Sequence, residues 1–162
     1  MEPVILRPEL PSDADFLFNL YADTRERELS PVAWSVEQKE AFLRQQFQLQ
    51  SHHYKTYHPK GSFDIVVQAG EAIGRLYVDR EFDQLYIIDI ALLSGRCGQG
   101  IGSMLMMRLL AEAEEAGLPV NIHVEVNNPA ITFYHRLGFS VVAQEGLHIL
   151  MTYGGAQAKA VS

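Results

Sequence analysis

Leu85-Tyr-Ile-Ile-Asp-Ile-Ala-Leu-Leu93 runs without a break into Ser94-Gly-Arg-Cys-Gly-Gln-Gly-Ile-Gly-Ser103. An apolar run of strand type therefore feeds directly into a turn holding Gly95, Gly98, Gly100 and Gly102. Glycine tolerates positive φ and lets a ligand approach the backbone closely. The next segment reads as a helix over 101–116, with Leu105, Met106, Leu109, Leu110 and Ala113 on one face and Gly117 and Pro119 as stop signals. Its first turn carries no carboxylate, whereas Glu112, Glu114 and Glu115 crowd the last turn, where the macrodipole disfavours them. The first amides of such a helix lack partners one turn back, so the turn has the physics of a phosphate cradle. The dipole adds about 0.3–1 kcal/mol to anion binding there.

Working outward, Phe63–Gln68, Ala72–Val78 and Leu85–Leu93 alternate with a period of two and are spaced for antiparallel hairpins. After the helix, Val120–Val126 alternates apolar Val120, Ile122, Val124 with polar Asn121, His123, Glu125, the pattern of a strand with one buried face. Asn128-Pro129 opens a further helix ending at Leu137-Gly138, and Phe139–Gln144 with Leu147–Tyr153 form a hairpin around Glu145-Gly146. Upstream, Val4-Ile-Leu6 is a short strand stopped by Pro8 and Pro11. Ser12-x-x-Asp15 starts a helix over 12–28, and the capping box Ser35-x-x-Gln38 starts another running toward His58-Pro59. The order is strand, two helices, three strands, helix, strand, helix, two strands. This predicts one α/β (α+β) domain over 1–154, a mostly antiparallel mixed sheet with one parallel pair, and a disordered tail over 155–162.

At 162 residues the chain suffices for a core burying roughly 70% of the unfolded surface without metal or disulfide. A single cysteine excludes a disulfide scaffold, and no apolar run is long enough to cross a bilayer, so no membrane partner is expected. The N-terminus lacks the basic and apolar regions of a signal peptide, which points to the cytoplasm. With 13 Lys+Arg against 20 Asp+Glu and a net charge of -7, no nucleic-acid partner is expected. The six histidines show no ligand spacing, so no metal is expected.

The glycine turn admits several readings. No Gly-Lys-Ser/Thr follows, so the Walker pattern fails. Gly98-x-Gly100-x-x-Ser103 half fits a dinucleotide fingerprint but lacks the third glycine, and a turn without a ligand would need fewer glycines. Cys97-x-x-Gly100-x-Gly102, together with Asn127-Asn128-Pro129-Ala130-x-x-Phe133-Tyr134-x-x-x-Gly138-Phe139, resembles the GNAT superfamily of acetyl-CoA-dependent N-acetyltransferases over nearly the whole chain. The resemblance implies that Arg96, Cys97, Gly98, Gln99, Gly100, Ile101, Gly102 and Ser103 cradle the coenzyme A pyrophosphate. It also implies that Ile90, Ala91, Leu92 and Leu93 pair with the pantetheine arm, and that Asn127, Asn128, Ala130 and Tyr134 lie near it. Cys97 stands where the family has Arg or Gln, leaving the adjacent Arg96 as a source of charge. The resemblance makes a homodimer a common assembly, and acetyl-CoA the co-substrate.

Acetylating an amine raises two proton problems. An amine with pKa near 10.4 must lose a proton, at a cost of roughly 4 kcal/mol at neutral pH, and the leaving thiolate gains from a donor. The resemblance implies that Tyr134 is that donor; as a residue of an amphipathic helix it reads equally as core. Asp89 interrupts an apolar run, which fits either a base with a raised pKa or an ion pair with an arginine such as Arg75. Glu125 and His123 share the polar face of their strand; Glu125 is the candidate base, and His123 reads as a solvated residue. Asn128 reads as a helix cap. Arg25, Glu28, Trp34 and Tyr54 are candidates for an acceptor site, although Trp34 also reads as a staple before Ser35 and Tyr54 as core. The expected function is acetyl transfer from acetyl-CoA to a small-molecule amine by direct attack. A protein or peptide amine acceptor, or an inert coenzyme-A-binding module, are the alternatives.

Overall fold

A computed structural model describes residues 2–154, so the tail expected over 155–162 lies outside the described residues. Seven strands and four α-helices follow in the order β1 (Val4–Pro8), α1 (Ala14–Leu29), α2 (Val36–Tyr57), β2 (Ser62–Gln68), β3 (Glu71–Arg80), β4 (Leu85–Leu92), α3 (Ile101–Ala116), β5 (Val120–Glu125), α4 (Ala130–Leu137), β6 (Ser140–Glu145) and β7 (His148–Tyr153). The strands hydrogen-bond in the order β1-β2-β3-β4-β5-β7-β6. The β4–β5 pair is parallel, while β1–β2, β5–β7 and β6–β7 are antiparallel. This is the mixed, mostly antiparallel α/β sheet that the alternation of periods implies.

Two short 3₁₀ turns, Pro11–Asp13 and Ser94–Arg96, were not legible in the sequence. The first changes how α1 begins. Ser12 was the expected cap of a helix over 12–28, but the Asp13 carboxylate takes the Leu10 amide at 2.7 Å and pairs with Arg7 at 2.8 Å, and the α-helix starts at Ala14. The Asp13 carboxylate, held by Arg7, closes a 3₁₀ turn from Leu10 that takes up Ser12, so α1 begins two residues later. The Arg7 hydrogen bonds also hold the Asp13 carboxyl well down, at about 2. Pro8, expected to stop β1, is instead its last residue. It is tolerated because β1 lies at the edge of the sheet. The Ser35 box forms as expected, with Gln38 N–H donating to Ser35 Oγ at 3.1 Å and Ser35 N–H donating to Gln38 Oε1 at 2.9 Å.

The residues fall into two contact groups, one comprising the chain up to Tyr77 with Asp89–Gln99, the other Val78–Ile88 with Gly100 onward. In the first, Leu17, Ile65 and Val67 form a buried cluster against which Phe16, Phe47 and Ala72 pack, and Phe47 meets the rings of Phe18 and Tyr21 at 5.9 and 5.5 Å. No α2 residue is fully buried, so the apolar face read from its spacing is only partly covered. In the second group α3 buries Ile101, Leu105, Met106, Leu109, Leu110 and Ala113, the face its periodicity predicted extended by Ile101. Val120, Ile122 and Val124 of β5 are buried while His123 and Glu125 are exposed.

Candidate active site

Along the chain, β4 leads into the glycine turn through a tightly held junction. Leu93 N–H donates to Ile73 O at 2.8 Å. Gly74 lies so close to the β4 backbone that a Cβ there would sit 2.3 Å from Ala91 O. Ser94 is gripped from α1, with its N–H and Oγ donating to Asp23 at 2.7 and 3.0 Å. Ile90, Ala91, Leu92 and Leu93 are half-buried. Past the 3₁₀ turn, Gly98 and Gly100 both adopt left-handed backbone, φ 78° and 81°. A Cβ at either would meet open space, so the backbone angle, not crowding, calls for glycine.

Gly100 is the N-cap of α3, and its carbonyl takes Met104 N–H at 3.0 Å. No side chain caps the helix and its first turn has no acid. The amides of Ile101, Gly102 and Ser103 are thus left to bind something other than their own helix. Ile101 contributes backbone alone, because its side chain is core. Gln99 bonds back to Gly95 O at 3.3 Å. Arg96 is anchored to Gln68 Oε1 at 2.9 Å and Glu71 at 3.1 Å. Cys97 is exposed, with Sγ 3.6 Å from Leu93 O.

Asp89 forms the ion pair that was one of its two sequence readings. Its Oδ2 lies 2.6 Å from Nε of Arg75, a buried arginine that also donates to Gln50 Oε1 at 2.8 Å. Burial works against the Arg75 charge, but Asp89, Tyr77 and Tyr54 outweigh it and raise its pKa. The Tyr77 hydroxyl donates to Glu9 at 2.7 Å, and burial pushes its pKa up as well.

In the second group, Tyr134 of α4 is buried, with ring centroids 5.4 Å from Phe133 and 5.8 Å from Phe139. Asn128 takes the Ala130 amide on Oδ1 at 2.9 Å, the capping role read from Asn128-Pro129. Asn127 is exposed and Ala130 half-buried. Glu125 is exposed and sits opposite His148 in the β5–β7 register.

The residues expected at an acceptor site separate into three clusters. Arg25 and Glu28 of α1 pair with each other at 3.2 Å. Trp34 packs edge-on against Phe42 at 5.3 Å, a full turn beyond the Lys39 position that a staple would reach. Tyr54 joins Tyr77 and Arg75 at 6.1 and 5.8 Å. The sequence reading missed an open cleft of about 480 Å³ between α1 and α2, whose polar lining includes Asn19, Asp23, Glu26, Lys39 and Glu40. The three-residue spacing of Asp23 and Glu26 on one helix was the available signal; nothing in the sequence said which face of α2 would stand away from α1.

Among solved structures, the chain resembles the PaiA N-acetyltransferase of Thermoplasma acidophilum in complex with coenzyme A (TM-score 0.70, 16% identity, 94% of this chain and 99% of that one). It also resembles an acetyltransferase of Thermus thermophilus (0.68, 19%, 95% and 99%). A Bacillus anthracis str. Ames structure in complex with acetyl coenzyme A matches over 59% of this chain and 64% of that one (0.53, 20%). No curated protein matches the chain. The model of the acetyltransferase (GNAT) family matches residues 15–139. That span begins at the second residue of α1 and takes in β4, the left-handed glycines, the uncapped start of α3 and the Tyr134 helix, and the chain accordingly belongs to the GNAT family, as an acetyl-CoA-dependent N-acetyltransferase.

Proposed function

We propose that the chain moves the acetyl group of acetyl-CoA to the amine of a small molecule by direct attack. The observation that carries this reading is the pair of left-handed glycines, Gly98 and Gly100, ahead of a helix with neither side-chain cap nor first-turn acid. Amides of residues 97–103 would hold the pyrophosphate. Because Arg96 is spent on Gln68 and Glu71, that hold is a backbone one. β4 continues as strand to Leu92, while its register with β5 runs from Leu85↔Val120 to Ile87↔Ile122. This supports Ile90–Leu93 as the edge that pairs with the pantetheine arm.

In the reaction the deprotonated amine nitrogen adds to the thioester carbonyl, the carbon–sulfur bond breaks, and the departing sulfur takes a proton, the role proposed for Tyr134. Asp89 is a poor base in this arrangement, since accepting a proton would strand the buried Arg75 charge. The α1–α2 cleft supports a small acceptor. Its volume of about 480 Å³ falls in the range of small-ligand pockets, roughly 300–1,000 Å³. Its acids Asp23, Glu26 and Glu40 would draw a protonated amine.

Thiol release from acetyl-CoA, measured against pooled primary amines and against lysine-containing peptides, tests this. Turnover with small amines and not with peptides is expected. Turnover confined to peptides would favour a protein acceptor, and coenzyme binding by calorimetry without turnover on either pool would favour an inert binding module. Tyr134→Phe should lower turnover while leaving coenzyme binding intact; unchanged turnover removes Tyr134 from the reaction.

A further inference from the structure

With Asp89 tied to Arg75, the proton that the incoming ammonium must lose needs another destination. β4 and β5 supply one. Tyr86 of β4 and His123 of β5 meet at 2.6 Å between the hydroxyl and Nδ1, and Nε2 of the same ring lies 3.5 Å from Glu145 Oε2 at the end of β6. The imidazole thus stands between the hydroxyl and the carboxylate, one on each ring nitrogen. We infer that Tyr86, His123 and Glu145 form a proton relay, in which Tyr86 takes the proton of the acceptor ammonium, passes its own to His123 Nδ1, and Glu145 holds the resulting imidazolium. The inference rests on the N-acetyltransferase reading of the chain.

Three features favour this direction of transfer. Glu145 beside Nε2 favours a proton on that nitrogen, because a bare ring lone pair facing a carboxylate would be repelled. Nδ1 is then the acceptor in the neutral ring. Tyr86 is suited to donate to it, since burial first, and then the charges of Glu145 and Glu81, raise its hydroxyl pKa and keep it protonated. His123 is also the first β5 residue after Ile122, where the register with β4 ends at Ile87↔Ile122. Along the chain, Tyr86 stands four residues before Ile90, on the strand that continues into the segment read as the pantetheine edge.

The proton count closes. The ammonium gives one proton to the Tyr86 oxygen as the Tyr86 proton moves to Nδ1, the freed nitrogen lone pair attacks the thioester, and the second proton, released from nitrogen as the carbon–sulfur bond breaks, replaces the one the departing sulfur takes from Tyr134. Other titratable groups near His123 are Glu125 on its own strand and His148 on β7, opposite both Glu125 and Glu145 in register. Tyr86 is the catalytic residue of the three, while His123 and Glu145 act through it.

Two measurements test the relay. In the first, kcat and KM are followed against pH for wild type, Tyr86→Phe, His123→Asn and Glu145→Gln, using the primary amine pool and acetyl-CoA. General acid–base groups contribute about 10²–10⁴-fold. Tyr86→Phe and His123→Asn should therefore lose about 10²-fold or more in kcat with KM for acetyl-CoA within about twofold of wild type. Glu145→Gln should lose less and alter the acid limb of the profile, which a merely structural role would leave in place. Wild-type kcat in Tyr86→Phe overturns the relay.

In the second, ¹⁵N chemical shifts of the His123 ring in the resting protein are expected to show protonated Nε2 and bare Nδ1 in the neutral form. The opposite tautomer overturns the relay. This readout needs no acceptor, so it judges the relay even where no amine is turned over. Failure of wild type to bind acetyl-CoA in calorimetry would instead strike the coenzyme-loop reading.

Discussion

Gly74 shows what a single hydrogen in place of a side chain can decide. Its backbone lies against β4 where the strand approaches the glycine turn, and an added Cβ would stand 2.3 Å from Ala91 O and 2.7 Å from a Leu92 side-chain carbon. The methyl of Gly74→Ala therefore has to push β4 away. Overpacking of this kind costs about 1–3 kcal/mol, so the urea midpoint should fall with an unchanged slope, and KM for acetyl-CoA should rise with it. Asp13 makes a prediction of a different kind. The Arg7 hydrogen bonds hold its carboxyl down to about 2, against about 3.9 unperturbed. A depressed carboxyl stabilises the fold above the unfolded value and loses that contribution as pH falls through the folded value. The stability gap between wild type and Asp13→Asn should thus be constant near neutrality and close between about pH 4 and pH 2; a gap unchanged down to pH 2 would contradict the pairing.

At the scale of elements, the contrast between α1 and α2 shows what was legible and what was not. The Ser35-x-x-Gln38 box could be read because both of its bonds are local, and both are present. Removing the hydroxyl in Ser35→Ala should cost about 1 kcal/mol, readable as a shift in urea midpoint. The start of α1 was misread because Asp13 answers to Arg7, six residues back on β1, a partner that only the folded sheet brings alongside. The same division runs through the site. Glycine spacing made the left-handed turn ahead of α3 visible, since positive φ is a local demand, whereas Asp89 stayed ambiguous until Arg75 from the neighbouring strand was seen beside it. His123 is exposed, as its alternation on the strand implied, but alternation carries no information about the Tyr86 hydroxyl that reaches it from the neighbouring strand.

For the whole molecule the surplus of carboxylates, 20 against 13 basic residues, sets the long-range field. Coenzyme A is itself an anion, and backbone amides are dipoles without net charge, so under the proposed backbone cradle the long-range term opposes its approach while the short-range one holds it. Raising ionic strength from about 0.01 to 0.15 M shortens the screening length from about 30 to 8 Å. Coenzyme affinity should then stay level or tighten, whereas a steep weakening with salt would show that cationic side chains carry the binding. A protonated amine should respond the opposite way, with its KM rising as the attraction of the acidic cleft is screened.

The exposed thiol of Cys97 has a practical consequence. It is the only cysteine in the chain, placed in the turn proposed to lie against the coenzyme diphosphate. A maleimide will therefore label one position, and the labelling rate becomes an occupancy gauge for that turn. Saturating coenzyme A should slow the modification, and a free acceptor amine should not. The residue that departs from the family pattern thereby makes the loop observable without a substrate in hand.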